Sequence, residues 1–189
     1  MIHNAAIKIV DFLSKYGTAQ KSRDIYIYGT ECFINEAIGN FLLIGIALPL
    51  NQGWSVFIWL ISFLSIRIHL GGYHAPYHWL CLIISTFVGI SSIFFNWVWR
   101  SIRGYSILIL IFCDAYILFT KAVIHKNHPM TQKKLRRGRF LLLINTFLIN
   151  AITIGSLFAQ KNWYPPILSG IFCSVIISIV SKFQKQTGQ

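Results

Sequence analysis

The chain has 189 residues, of which 55% are hydrophobic and 12% charged, with a formal net charge of +12. A soluble domain carries about a quarter charged residues, so this composition excludes a water-soluble globule and makes lipid the main solvent. The positive excess lies between apolar runs, which makes it a topological signal and argues against a nucleic-acid partner.

The N-terminus opens the chain order. Lys8, Asp11 and Lys15 interrupt its first apolar stretch, so no cleavable signal peptide is expected. Ala6, Ile9, Val10, Leu13 and Tyr16 recur at helical spacing, which predicts an amphipathic helix on the membrane surface. A mobile cytosolic tail is the alternative.

Apolar runs follow at 37–50, 54–66, 77–99, 105–124, 140–159 and 164–181. The third, fourth and fifth reach about 20 residues, the length a helix needs to cross the hydrocarbon core. The first two are shorter but can extend back to Phe33 or forward to Leu70. Joined at Asn51-Gln52-Gly53, they predict a tight hairpin of spans, with a re-entrant pair as the other reading. Backbone polar groups in lipid must pair internally, so the spans are helices. The expected fold is an all-α integral membrane protein with about six transmembrane helices and both termini cytoplasmic. It forms a single domain: an N-terminal amphipathic segment at 1–32, a bundle at 33–181 and a cytosolic tail at 182–189.

With six spans, fourteen of the 17 lysines and arginines fall on one side, and Arg100, Arg103 and Lys161 on the other. That asymmetry marks the richer side as cytoplasmic. The basic loop between spans 4 and 5, with Lys133, Lys134, Arg136 and Arg137, also has the charge to hold anionic lipid headgroups or an acidic peptide. Among polar residues inside spans, Asp114 is the one mid-span acid. It is expected to pair with Lys121, to serve His74 as the third member of a triad, or to be protonated. Asn145, Asn150, Ser85, Ser91 and Ser92 are expected to join helices by hydrogen bonds. Glu31 and Glu36 border span 1 and could orient a histidine.

The stretch RIHLGGYHAPYHWLC, residues 67–81, concentrates chemistry at the edge of span 3. Pro76 suits the first turn of a helix, with Gly71-Gly72 as a flexible turn before it. Cys81 then lies near the electropositive end of that helix, where a neighbouring imidazolium favours the thiolate. A thiolate and a histidine are the minimum for nucleophilic catalysis. The spacing admits both His74, seven residues before Cys81, and His78, three before it. An ordinary buried cysteine beside interfacial histidines fits the spacing too. A metal site from His69, His74, His78 and Cys81 matches no structural zinc pattern, so no metal or cofactor is expected. Cys32, Cys113 and Cys173 form no CxxC pair, and the last two read as small hydrophobes.

Arg67, the Gly72-Tyr73-His74-Ala75 element and Cys81 seven residues after that histidine resemble the signature of the AgrB family, the membrane cysteine peptidases of Gram-positive quorum sensing. Chain length, hydropathy, the polar N-terminal stretch and the basic central loop agree with it. The resemblance implies that His74 is the partner of Cys81, and that Arg67 and Gly72 support the site. It further implies a cell-membrane peptidase whose active site faces the cytoplasm. Such an enzyme cleaves the acidic C-terminal tail from an AgrD-type propeptide and cyclises the remainder to a thiolactone or lactone. Family members are held to act as a homodimer, though no GxxxG motif locates an interface here. The rival reading is a small transporter or channel with a path through Arg67, Asp114 and the histidines, and the two halves show no internal similarity of the kind a transporter of this size would carry.

Overall fold

The computed structural model describes residues 2–15, 23–70, 78–120, 132–159 and 162–187, with 78–82 and 184–187 described as backbone only. Seven helices follow in order: α1 (Ile2–Ser14), α2 (Arg23–Ala47), α3 (Gly53–Leu70), α4 (His78–Ser101), α5 (Ser106–Phe119), α6 (Gln132–Phe158) and α7 (Tyr164–Thr187), with a 3-10 turn at Arg103–Tyr105 before α5. Among the described residues there is no strand, and the chain adopts the all-helical membrane architecture its composition requires.

By length and composition α2, α3, α6 and the Tyr164–Phe183 part of α7 can each cross a membrane. Ile83–Ser101 and Arg103–Phe119 meet at 92° and meet the same criteria only as a pair, so the described residues hold four or five candidate spans beside the six or so expected for the whole chain. Within that pair α5 ends at Phe119, and its 14 residues cover about 21 Å, short of a core about 30 Å thick. The short first runs lengthen as their flanks allow. α3 continues to Leu70, and α2 starts as early as Arg23. Their tight turn places Asn51 at φ 54°, a left-handed conformation that asparagine tolerates.

Helix α7 is the centre of the bundle and packs on α3, α4, α5 and α6. Its first turn carries Pro165 and Pro166, where a missing N–H costs no helical bond. The closest approach is to α3. A Cβ on Gly170 would lie 3.0 Å from the carbonyl oxygen of Trp59 and 3.1 Å from the backbone nitrogen of Phe63, so the helices touch backbone to backbone. Ser174 Oγ lies 3.1 Å from the carbonyl of Phe63 and 2.9 Å from that of Gly170 in its own helix, so its one proton is shared between α3 and α7. These pairs advance together, so α3 and α7 run parallel. Trp99 meets Phe172 edge-on at 5.5 Å, while Val88 shares a cluster with Ile177, so α4 runs antiparallel to both.

Polar side chains tie the remaining helices as expected in lipid. Asn145 Nδ2 donates to the carbonyl of Ser65, joining α6 to α3, and Asn150 Nδ2 donates to Asp114 Oδ2 at 2.7 Å, joining α6 to α5. Asp114 is therefore an inter-helix link, while Lys121 and His74, its expected partners, lie outside the described residues. Ser92 behaves differently from expectation and bonds within its own helix, to the carbonyl of Gly89. Cys113 is fully buried in the core and Cys173 packs at the edge of a second cluster, both as small hydrophobes. Helix α1 forms, but Ala6 and Val10 spend their apolar surface on Ile27 of α2. Ile9, Phe12 and Leu13 remain exposed. Arg23 and Asp11 pair at 2.7 Å across the hairpin.

Because backbone atoms confront residue 170, Gly170→Ala must push α3 and α7 apart and is expected to destabilise by about 1–3 kcal/mol. Gly45, with nothing within 4 Å of its would-be Cβ, is the control. Gly45→Ala should leave the melting temperature in detergent unchanged, while Gly170→Ala lowers it.

Candidate active site

One end of the bundle collects the chemistry-bearing residues. It holds the last turn of α3, the first turn of α4, the C-terminal end of α5 and the first turns of α6. The alternation follows from the short connections and from the parallel run of α3 and α7.

Arg67 lies in the last turn of α3. Its Nη1 donates to Glu36 Oε1 of α2 at 3.2 Å, and its guanidinium lies 5.3 Å from the centre of the Phe63 ring. The side chain is 12% exposed. Of the two acids proposed to orient a histidine, Glu36 is engaged by Arg67. Glu31, buried on the same helix, contacts His3 Nδ1 of α1. Gly72 and His74 lie outside the described residues. Cys81 is the fourth residue of α4, in the turn whose backbone N–H groups have no partner within the helix. That is the electropositive end expected for it; Pro76, where the helix was expected to start, lies outside the described residues.

A packing contact sets the height of Cys81 relative to Arg67. Leu43 of α2 lies so close to Gly89 of α4 that a Cβ there would come within 2.5 Å of its side chain. The two helices run parallel, since each is antiparallel to α3. Seven residues before Leu43 is Glu36, and seven before Gly89 is Leu82, next to Cys81. Seven residues make nearly two full turns, about 10 Å along the axis. Glu36 therefore keeps the face of Leu43 and stands level with the Cys81 turn. Glu36 holds Arg67, so Arg67 reaches the same level.

Lys133, Lys134, Arg136 and Arg137 are exposed on the first turns of α6 at this end. Arg139 is not part of that free charge. Its guanidinium donates to the carbonyls of Thr120 and Leu118, capping the C-terminus of α5. Lys182 of α7 donates to Thr120 Oγ1 at 3.2 Å and lies over the Tyr116 ring. In the sequence Arg139 is indistinguishable from the basic residues beside it, and its spacing offers no sign of the cap. Chemically, this end brings together the backbone of Cys81 in the first turn of α4, a guanidinium fixed at the same level, and an exposed cationic surface.

A family model described as AgrB, Accessory gene regulator B, matches residues 6–181. No curated protein and no solved structure matches the chain.

The cap makes a separate prediction from the exposed charges. Arg139→Gln removes charged hydrogen bonds worth about 1.5–3 kcal/mol each, so the melting temperature should fall. Arg137→Gln, at an exposed position, should leave it within error.

Proposed function

The chain belongs to the accessory gene regulator B family, which serves in quorum-sensing peptide processing, and from that premise we propose that it is a membrane cysteine endopeptidase. Its substrate is an AgrD-type propeptide, from which it removes the C-terminal tail before closing the remainder into a thiolactone or lactone. The family match over residues 6–181, a span that contains both His74 and Cys81, carries this reading. The position of Cys81 in the first turn of α4, level with Arg67, supports it. The clustering of exposed lysines and arginines at this end supports a site facing the cytoplasm of a Gram-positive cell.

The steps balance as two acyl transfers. His74 takes the proton of the Cys81 thiol, and the thiolate attacks the scissile carbonyl. A C–S bond forms as the amide C–N bond breaks. The imidazolium returns the proton to the departing amine, leaving the peptide as a thioester on Cys81. A cysteine or serine side chain of the peptide itself then attacks the thioester, and His74 accepts its proton. A ring bond forms to sulfur or oxygen and Cys81 leaves as the thiolate. The thioester holds the acyl group in activated form, so cyclisation succeeds only where water is kept away. Tyr73, Tyr77 and Trp79 supply apolar bulk around the two reacting residues in the sequence. Lys133, Lys134, Arg136 and Arg137 hold the acidic tail, whose negative charge they complement.

In cells carrying the propeptide, Cys81→Ser and His74→Ala should abolish tail cleavage while membrane insertion stays normal. Intact processing in either variant removes the proposal. A propeptide whose cyclising side chain is replaced by alanine should accumulate as a hydroxylamine-sensitive adduct on Cys81. Neutralising Lys133, Lys134, Arg136 and Arg137 together should reduce cleavage by about an order of magnitude at 0.15 M salt, and less at high salt, read from cleavage rates in proteoliposomes.

A further inference from the structure

We infer that Glu36 is a positioning residue that holds Arg67 as the donor stabilising the oxyanion formed when Cys81 attacks. The inference rests on the peptidase reading and goes beyond it by assigning Glu36 and by choosing among three roles for Arg67: oxyanion donor, ligand of substrate carboxylates, or marker of the membrane edge.

Three observations converge. Arg67 has five N–H donors, and its bond to Glu36 Oε1 is the one hydrogen bond it makes among the described residues. Among the described residues Nε and Nη2 find no acceptor, on a side chain only 12% exposed. A guanidinium so withdrawn from water is suited to an anion that arises during reaction. It is less suited to marking a membrane edge, where the head group stays in solvent. Second, the guanidinium is held on two sides, by the Glu36 carboxylate at 3.2 Å and by the Phe63 ring at 5.3 Å. A long side chain fixed in this way has already lost its rotamer freedom, which is what preorganised stabilisation needs. Third, Glu36 shares its face of α2 with Leu43, and Leu43 meets Gly89. The register of α2 on α4 therefore carries Glu36, and with it Arg67, to the level of the Cys81 turn. The Glu36 charge also offsets that of Arg67 in the resting site. A preformed full positive charge would hold the substrate's acidic tail in place of the transient oxyanion, and the pair avoids that.

The alternative is that the pair is a strut joining α2 to α3. Kinetics and a charge swap separate the two. With purified protein in proteoliposomes and the propeptide as substrate, Glu36→Gln should lower kcat by about 100-fold with KM within about twofold. Glu36→Asp should recover at least a tenth of the lost rate. Alkylation of Cys81 by iodoacetamide forms no oxyanion, and should proceed at the wild-type rate in Glu36→Gln. The double variant Glu36→Arg with Arg67→Glu keeps an ion pair between the helices, so it should insert normally and stay inactive. Wild-type kcat in Glu36→Gln, an effect confined to KM, or processing restored by the swap would each overturn the assignment. An intact tail-cleavage activity in Cys81→Ser would instead remove the peptidase reading itself, whatever Glu36 does.

Discussion

Helix α7 can lie against the backbone of α3 because residue 170 has no side chain. In lipid there is no hydrophobic drive to bring helices together, so association rests on close packing and on hydrogen bonds between them. The Gly170 contact supplies the first, and Ser174, one turn later, supplies the second. Once α3 and α7 are locked in parallel, α4 fits antiparallel to both and α2 falls beside α4. Arg67 on α3 and Cys81 on α4 then belong to the same end of the bundle. No hydrogen bond between those two residues is needed for that outcome.

The polar residues inside this bundle divide by what they spend their donors on. Asn150 donates to Asp114 between α6 and α5, and Arg139 is consumed by the open carbonyls at the end of α5. Lys182 is committed to Thr120 and Tyr116. These contacts hold helices together. Arg67 differs in that, among the described residues, it makes one bond from a side chain largely withdrawn from solvent.

Much of this was legible in the amino-acid order. Apolar runs gave the helices, the short hairpin at Asn51 was visible from its turn residues, and the stretch from Arg67 to Cys81 stood out against its surroundings. The break between the runs 77–99 and 105–124 was legible as well, since Arg100, Ser101, Arg103 and Gly104 interrupt them. The 92° angle at which the two helices meet was not, because hydropathy carries no direction. The partner of Arg67 was missed for a different reason. Glu36 is 31 residues away, and periodicity within one helix says nothing about which acid on another helix comes within reach. Arg139 was hidden among identical charges, since sequence cannot show which basic residue faces an uncapped helix end. Asn145 and Asn150 were read correctly as inter-helix links because an amide in a lipid-facing run has few other uses.

The seven-residue spacing between Glu36 and Leu43 has a consequence for insertions and deletions. Removing one residue between them leaves the hydropathy of α2 almost untouched, and the segment would still enter the bilayer. Yet everything upstream would rotate by about 100° and move by about 1.5 Å, carrying the carboxylate away from the guanidinium. The turn at residues 48–51, by contrast, can change length without disturbing that geometry, since Leu43 against Gly89 resets the phase. Length variation in this protein should therefore be free in its turns and forbidden within the stretch from 36 to 43, a frozen interval that composition alone would never reveal.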